Sequence, residues 1–306
     1  MSNHWYFVIN PVSGSGKGMK LWNRIQVLLD ASEIDYSFGI SKYHRHTIEL
    51  ISQKHQEGTR NFIGIGGDGT LNEIVNAIMD SENGSQSKST ISQLSVGTGN
   101  DWVKNYDEQL TEFNLITRLK SNKTISHDIG IVESKQPLLK QYFINVAGAG
   151  IDGRVVHELE KLSVKGKKSK LAYVQSMLKS LTRFDAPHGK INIDNQEVYE
   201  GRTLLLAASK GQYFGGGMHI SPKALPNSGM LDLTLVKKDT HLVVFPQLYK
   251  LFNGKIETVT FVEKFIHSKA EFNAEFPIPI QADGEFVGES KNISFSVLKH
   301  AINILV

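Results

Sequence analysis

A glycine-rich string between a short apolar segment and a helical apolar stripe constrains this chain more than any other feature. The string runs from Gly64 to Glu73, and the segment before it, 61–63, is apolar enough for a buried strand. After it, apolar residues recur at the spacing of one helix face: Leu71, Ile74, Val75, Ile78 and Met79. The string is therefore predicted to lie where a strand turns into a helix.

A turn of this kind suits the binding of phosphate. Glycine admits positive φ and lets a ligand approach the backbone, and a helix N-terminus offers N–H groups and a partial positive charge. Asp68 would repel a simple anion, but it suits a site that organises a metal ion or a transferring phosphoryl group. The alternative is a tight strand-to-helix turn in which Asp68 only caps the helix.

Two further glycine-containing turns follow predicted strands in the first 125 residues. One runs from Asn10 to Gly18 after the strand 5–9, and the other runs from Gly97 to Asp101 after the strand 94–96. Three such turns in an alternating strand–helix pattern predict a parallel sheet that binds its ligand at the carboxyl ends of the strands. Together they indicate a nucleotide site.

The turn from Asn10 to Gly18 is not a Walker A loop, because Pro11 and Gly18 stand where that motif needs Gly and then Ser or Thr. It can still cradle phosphate through its backbone amides and Lys17. The alternative is a flexible turn with no ligand.

From about residue 126 the pattern changes to short apolar segments separated by turns, which predicts a second domain rich in strands, built as two packed sheets. One helix is predicted, Leu171 to Leu181, and the apolar end of the chain is predicted to return to the first domain as a strand. The predicted strands are Ile125 to Glu133, Gln141 to Ala147, Lys190 to Ile193, Val198 to Ser209, Met230 to Lys237, Glu257 to Phe265, Ala270 to Phe276 and Ile293 to Leu298.

The predicted fold class is therefore α/β plus all-β. A Rossmann-like α/β nucleotide-binding domain comprises residues 1–125 together with a returning strand at 299–306. A β-sandwich domain comprises residues 126–298. A length of 306 residues is enough for two domains.

Composition narrows the classes of function. A net charge of +3 does not indicate a nucleic-acid partner, and the absence of cysteine excludes disulfides, thiolate catalysis and cysteine-ligated zinc. The sequence contains neither a signal peptide nor an apolar run of the roughly 20 residues that span a bilayer. We therefore expect a cytoplasmic protein that meets a membrane only at its surface. The five lysines of the segment Lys161 to Lys170 suit an anionic membrane, or else form a solvated loop.

The segment Gln281 to Glu285 places two carboxylates, Asp283 and Glu285, at a predicted hairpin turn. Asp-Gly is a common hairpin signal, so a purely structural role is one interpretation. The other is that one carboxylate serves as general base towards an alcohol.

Taken together, five segments resemble the diacylglycerol-kinase catalytic family, which includes bacterial soluble diacylglycerol and lipid kinases and is akin to sphingosine and ceramide kinases. The segment from Gly66 to Glu73 is shared with NAD kinases and phosphofructokinases, whereas the segments that begin at Asn10 and at Gly97 narrow the resemblance to the lipid-kinase branch. The segments are Asn10-Pro11-x-Ser13-Gly14, Gly66-Gly67-Asp68-Gly69-Thr70-x-Asn72-Glu73, Gly97-Thr98-x-Asn100-Asp101, Gly215-Gly216-Gly217 and Asp283-Gly284-Glu285.

The resemblance implies a set of site residues. Glu285 would be the general base, with Asp283 beside it, and Asp68 would shape a Mg²⁺–ATP site. The residues implied to bind ATP are Asn10, Pro11, Val12, Ser13, Gly14, Ser41, Gly66, Gly67, Asp68, Gly69, Thr70, Leu71, Asn72 and Thr98.

The chain departs from the family at one point. Bacterial members often carry a structural Mg²⁺ on an Asp-Gly pair in the segment that matches 227–230. Here the Asp position is Ser228, and a hydroxyl is a much poorer Mg²⁺ ligand than a carboxylate. Asp232 is not in register with it. We therefore expect this second metal site to be missing.

Three functions follow from the sequence. The leading one is an ATP-dependent kinase that phosphorylates a lipid hydroxyl, most simply that of diacylglycerol, at the membrane surface. The second keeps the fold and changes the acceptor to NAD or another soluble alcohol. The third is a non-catalytic regulator that responds to lipid or nucleotide. The oligomeric state stays open, with a homodimer among the alternatives.

Overall fold

The computed structural model describes residues 4–97, 99–163, 184–238, 247, 249–250 and 252–306. The chain forms two compact units, here called the first unit, Met1–Asp128 with Leu298–Val306, and the second unit, Ile129–Val297. These divisions lie close to the predicted domain boundaries. The predicted helix 171–181 and residues 164–170 of the lysine-rich segment lie outside the described residues. None of the described helices is long and apolar enough to cross a membrane.

The first unit alternates strands and helices, as predicted. Its elements are β1 (Trp5–Ile9), α1 (Ser13–Asp30), β2 (Tyr36–Ile40), α2 (His46–Gln56), β3 (Asn61–Gly66), α3 (Asp68–Ser81), β4 (Thr90–Ser95), a 3₁₀ helix (Trp102–Asn105), α4 (Leu115–Ser121) and the start of β5 (Thr124–Lys135).

The second unit is rich in strands. After β5 come β6 (Leu138–Phe143), β7 (Val146–Gly150), α5 (Ile151–Ser163), β8 (His188–Ile193), β9 (Gln196–Ser209), β10 (Tyr213–Phe214), β11 (Met218–His219), β12 (Leu231–Lys237), a 3₁₀ helix (Ile256–Thr258), β13 (Val262–His267), β14 (Lys269–Ala282) and β15 (Glu285–Leu305), whose last residues belong to the first unit.

The sheet of the first unit has the strand order β4-β3-β1-β2, and all of these pairs are parallel. The end of β15 adds a parallel strand beside β4, with Asn303 opposite Thr90. This is the predicted returning strand. Because the chain runs from β1 first to β2 and then to β3 on the other side, the strand order reverses at β1, where open α/β sheets bind ligands.

Helix α1 packs on one face of this sheet because its apolar residues recur at helical spacing. Trp22, Ile25 and Leu29 are fully buried, and they share a core with alternate residues of the strands, such as Phe7 and Ile65. The helix thus packs a face whose apolar residues recur about every 3.6 positions against a sheet face lined by every second residue of each strand. Helices α2 and α3 contact each other. Fixing α1 in this way fixes the turn before it, which leads into the site.

In the second unit the strand order is β13-β12-β9-β7-β14-β15, and β8 pairs with both β9 and β14. Its pairs are antiparallel, and their inward residues form two apolar cores, around Phe272 and Phe295 and around Met218 and Ile220. The predicted fold class, an α/β domain followed by a β-sandwich-like domain, is confirmed.

Several predicted elements are wrong in their bounds. Residues 64–66 are part of β3 rather than of the glycine-rich turn, and β4 begins at Thr90, before the start of the predicted strand 94–96. The predicted strand 141–147 breaks at 144–145 into β6 and β7, and the first part of the predicted strand 257–265 is a 3₁₀ helix. Helix α5 was not predicted.

Candidate functional site

The three predicted turns lie at one edge of the first unit's sheet. In the parallel register Ile9 stands opposite Ile65, and Gly66 stands opposite Ser95. The strands β1, β3 and β4 therefore end side by side, each delivering its turn to the same edge. Backbone hydrogen bonds continue the ladder into the turns: Asn10 N–H donates to the Ile65 carbonyl, and Val96 N–H donates to the Gly66 carbonyl, at 2.9 and 3.0 Å.

The turn after β1 is held by the side chain of Asn10. Its Oδ1 accepts from Val12 N–H at 3.2 Å, and its Nδ2 lies 3.4 Å from Thr70 Oγ1 of the neighbouring turn. The backbone then runs through three consecutive left-handed residues, with φ of 59° at Gly14, 60° at Ser15 and 87° at Gly16. The amide groups of this segment are therefore turned out of helical register.

Ala substitutions at Gly14 and Gly16 are expected to differ sharply. Both must adopt a left-handed conformation, which costs about 1–2 kcal/mol. Only at Gly14 would the new Cβ collide with backbone, 1.9 Å from the Val96 carbonyl oxygen, whereas at Gly16 nothing lies within 4 Å. We expect Gly14→Ala to lower the unfolding free energy by roughly 2 kcal/mol more than Gly16→Ala. Urea unfolding followed by fluorescence measures this, since Trp5, Trp22 and Trp102 all lie in the first unit. Equal losses would contradict the close approach.

The second turn places the N-terminus of α3 at the centre of this edge. The N-cap residue is Gly67, which has no side chain, and the amides of Thr70 and Leu71 bond back to its carbonyl oxygen. The carboxylate of Asp68 reaches the third turn, where it accepts from Asp101 N–H at 3.1 Å and from Trp102 N–H at 3.4 Å. Asp68 thus ties the second turn to the third.

The second and third turns touch through glycines. A Cβ added at Gly97 would lie 2.8 Å from the Cα of Gly67, and one added at Gly99 would lie 3.2 Å from Asp68 Oδ2. Asn100, at a φ of 50°, donates from Nδ2 to the Gly97 carbonyl at 2.9 Å. These glycines allow an approach that larger residues would prevent. Thr98, implied to contact the nucleotide, lies outside the described residues.

The other predicted nucleotide-binding residues lie near this edge by backbone position. Ser41 follows β2, is buried, and donates its N–H to Ile9 at 2.9 Å. Asn72 is buried in α3, and its side chain accepts from Asn76 at 3.0 Å. The side chain of Leu71 is fully buried in the core. Leu71 can therefore reach a ligand only through its backbone.

A basic cleft of about 400 Å³ lies beside the first and third turns. Lys17, Lys20 and Arg24 line it from α1, and Ser95 lines it from the end of β4. Arg24 is paired with Glu112 across the cleft at 2.7 Å. Lys17 was a predicted phosphate contact. The spacing of the three cations, i, i+3 and i+7, would have assigned Lys20 and Arg24 to the same helix face.

In the second unit, Asp283 lies in the two-residue hairpin turn between β14 and β15, and Glu285 follows that turn as the first residue of β15. Asp283 and Gly284 have φ of 49° and 83°, as the Asp-Gly signal predicts. Both oxygens of the Asp283 carboxylate are engaged by backbone amides, those of Ile144, Asn145 and Val146, at 2.8, 2.9 and 3.0 Å. Asp283 therefore anchors the turn to the break between β6 and β7. Glu285 is half-buried.

A buried polar relay supports the same turn from α5. Gly284 N–H donates to Gln281 Oε1 at 2.9 Å, and Gln281 Nε2 donates to the carboxylate of Asp152 at 3.0 Å. Gly148 leaves room for that carboxylate, since a Cβ there would lie 1.8 Å from it. Burial raises the pKa of Asp152 from 3.8 to about 6. Neither Asp152 nor Gln281 was among the predicted site residues, because their hydrogen bond joins residues 129 positions apart and no local pattern indicates it.

Asp152→Asn is expected to change the pH dependence of stability. The raised pKa means that the folded state holds the Asp152 proton more tightly than the unfolded state, so proton binding stabilises the fold. This contribution to the unfolding free energy is complete below about pH 4 and is lost as pH rises through about 6. Between pH 5 and pH 7.5 the variant should therefore gain roughly 1 kcal/mol in unfolding free energy relative to wild type. Denaturant unfolding at both pH values measures the difference. A difference that stays constant with pH would contradict the raised pKa.

The two implied Mg²⁺ sites differ in how well their residues fit a metal ion. Asp68 offers a hard carboxylate at a helix N-terminus beside two glycine turns, which fits Mg²⁺ shared with phosphate oxygens. The segment 227–230 does not fit. It has no carboxylate, because Ser228 stands at the Asp position, and the ammonium of Lys210 lies 2.7 Å from the Met230 carbonyl oxygen and 3.3 Å from Ser228 Oγ.

The sequence matches two family models. One is described as the diacylglycerol kinase catalytic domain and matches residues 4–132, and the other is described as the YegS C-terminal NAD kinase beta sandwich-like domain and matches residues 145–306. The chain belongs to this diacylglycerol-kinase-related, lipid-kinase-like family. The resemblance found from the motifs is therefore confirmed.

Known relatives share most of the chain. A Bacillus subtilis (strain 168) protein named "Putative lipid kinase YtlR" is 27% identical over 301 residues, which is 94% of this chain and 94% of the relative. A Chromohalobacter salexigens protein named "Probable lipid kinase YegS-like" is 26% identical over 248 residues, which is 78% of this chain and 73% of the relative.

Solved structures share the fold. A Bacillus anthracis str. Sterne structure described as that of "a putative diacylglycerol kinase" has a TM-score of 0.76 at 20% identity, covering 99% of this chain and 96% of that one. An NAD kinase from Archaeoglobus fulgidus, described in complex with ATP, has a TM-score of 0.52 at 12% identity, covering 99% and 93%. At these identities the likeness concerns the fold alone.

Proposed function

We propose that this protein transfers the γ-phosphate of ATP to the hydroxyl of a lipid, with diacylglycerol as the acceptor and phosphatidic acid as the product. The observation that carries the proposal is the contact of three turns at one sheet edge, where Gly14 packs against Val96 and Gly97 against Gly67. Such an edge offers backbone N–H groups, a helix N-terminus and a carboxylate to a polyphosphate. The family supplies the reaction class.

The donor side of the reaction would use the first unit. The amides of the turn 10–18 and of the start of α3 would bind phosphate oxygens, and Lys17 would add positive charge. Mg²⁺ would be held by Asp68 together with phosphate oxygens, and when bound it neutralises charge on the transferring group. The structure described as an NAD kinase with ATP supports ATP as the nucleotide for this fold.

The base would be Glu285. Both carboxylate oxygens of its neighbour Asp283 accept hydrogen bonds from backbone amides. Asp283 is therefore better suited to anchor the turn than to accept a proton. Glu285 would take the proton of the lipid hydroxyl as that oxygen bonds to the γ-phosphorus. The bond from the γ-phosphorus to the β–γ bridging oxygen breaks, and ADP leaves. The acceptor would be presented at a membrane surface, which the protein would meet from the cytoplasm.

A soluble alcohol such as NAD is the second candidate acceptor. It is favoured by the family model of residues 145–306, whose description names the NAD kinase sandwich, and by the shared fold with an NAD kinase. The two acceptors differ in chemistry, because a lipid needs an interface and NAD does not.

Transfer of labelled γ-phosphate tests the proposal. The protein is incubated with labelled ATP, Mg²⁺ and either mixed vesicles that contain one candidate lipid each or NAD in solution. We expect label in the lipid fraction of the diacylglycerol vesicles and none in NAD. Label in NAD alone would replace the acceptor, and label in no acceptor while ATP binds would favour a non-catalytic regulator.

A further inference from the structure

Lys210 is a fully buried lysine at the end of β9, in the second unit. Its side chain has no exposed area and ranks among the largest buried side chains. Lysine is rarely buried to this extent without acceptors for its three donors. The backbone around it is fixed, since the amides of Lys210 and Gly211 both donate to the Asn145 carbonyl, at 2.8 and 3.0 Å.

The ammonium of Lys210 lies against the loop formed by residues 225–230, here called the 225–230 loop. Nζ is 2.7 Å from the Met230 carbonyl oxygen and 3.3 Å from Ser228 Oγ. The Ser228 hydroxyl itself lies 3.3 Å from the Leu225 carbonyl and 3.2 Å from that of Met230. Two carbonyls and a hydroxyl thus converge, and this is the kind of oxygen set that a hard cation binds.

A positive charge stabilises a loop of this shape. The Leu225 and Met230 carbonyl oxygens carry partial negative charges that repel when both lie close to the Ser228 oxygen, and Gly229 between them adopts a φ of 71°. A positive charge offsets that repulsion. A divalent ion in the same place would stand within about 3 Å of the Lys210 ammonium, and like charges at that distance repel strongly in a buried setting. Ser228 offers no negative charge to balance them.

We propose that the ammonium of Lys210 is the built-in cation of the 225–230 loop, and that the loop folds without a divalent ion. The lysine replaces a divalent ion in two respects. Ser228 stands where a carboxylate ligand would be needed, and the Lys210 ammonium supplies the positive charge. This proposal is independent of the phosphoryl-transfer reaction, and it concerns the stability of the second unit alone.

Calorimetric melting of the full chain without nucleotide tests this proposal, in EDTA, MgCl₂ or CaCl₂ at matched ionic strength. We expect the wild-type Tm to be the same in all three. Lys210→Met should lower the Tm by roughly 5 °C, with no recovery in either salt. Lys223→Met is the matched control, because that lysine is 70% exposed in the same loop region, and it should leave the Tm nearly unchanged.

The decisive variant restores the carboxylate and removes the lysine. Lys210→Ala combined with Ser228→Asp is expected to gain a saturable rise in Tm of roughly 5 °C or more with Mg²⁺ or Ca²⁺. Ser228→Asp alone keeps the lysine, should fold, and should show no response to either ion. A rise in the wild-type Tm that Ser228→Ala abolishes, or a divalent response of Ser228→Asp alone, would overturn the proposal.

Discussion

Glu285→Gln is expected to reduce phosphoryl transfer about 10²–10⁴-fold, the usual contribution of a general base. Glutamine has nearly the same shape and can still occupy the hairpin position opposite Ala282, but it cannot take the proton of an attacking hydroxyl. The measurement is initial-rate transfer of labelled γ-phosphate to an acceptor that the wild type phosphorylates. Nucleotide binding, measured by calorimetric titration, should be unchanged.

The control for this substitution is Glu289→Gln. Glu289 lies on the same strand, is exposed, and stands opposite Pro279. It removes one negative charge from β15 without touching the turn, so its transfer rate should equal that of the wild type. If Glu285→Gln keeps near-wild-type transfer to a verified acceptor, the base is another group and Glu285 has only a structural role.

The ligand edge of the first unit could be predicted because its signals are local. A strand, a glycine turn and a helical stripe are each encoded within about ten neighbouring residues, and parallel strands bring their ends together by geometry. The spacing of Leu71, Ile74 and Val75 was enough to place the helix after the second turn. The helix begins at Asp68, however, and Gly64 and Gly66 belong to the strand.

Contacts that span the sequence could not be predicted. Asp68 bonds the amides of Asp101 and Trp102, more than thirty residues away, and nothing local to Asp68 specifies that partner. Lys210 follows a strand and would be assigned to the surface by composition alone. Its burial depends on the Met230 carbonyl and the Ser228 hydroxyl of the 225–230 loop, which only the folded unit brings to it.

Helix α5 shows a different kind of failure. The glycines at 148, 150 and 153 are typical of a loop, whereas Ile151, Val155 and Leu159 recur at helical spacing. Those apolar residues belong to one core of the second unit. The glycines are needed for packing, since a Cβ at Gly153 would lie 2.5 Å from the Pro279 carbonyl oxygen. The helical spacing of the apolar residues, and not the glycines, therefore indicates the structure of this segment.

Asp68→Asn is expected to have the second large effect, a loss of transfer of about 10²–10³-fold. The substitution removes the negative charge that would share Mg²⁺ with the phosphate oxygens, so the Mg²⁺ concentration for half-maximal transfer should rise. It also weakens the charge-assisted bonds to Asp101 and Trp102, which should cost about 1–2 kcal/mol of unfolding free energy. Urea unfolding followed by tryptophan fluorescence measures this loss, since Trp102, whose amide is one of the two donors, lies in the first unit with the other tryptophans.

Asp80→Asn separates the two roles of Asp68 from a general effect of charge on α3. Asp80 is exposed in the last turn of the same helix, so both transfer and the Mg²⁺ requirement should stay at wild-type values. If Asp68→Asn lowers stability but leaves the Mg²⁺ requirement unchanged, Asp68 acts only by joining the second turn to the third. If both change together, the carboxylate holds the turns and the metal at once, and its place between two glycine turns follows from that double role.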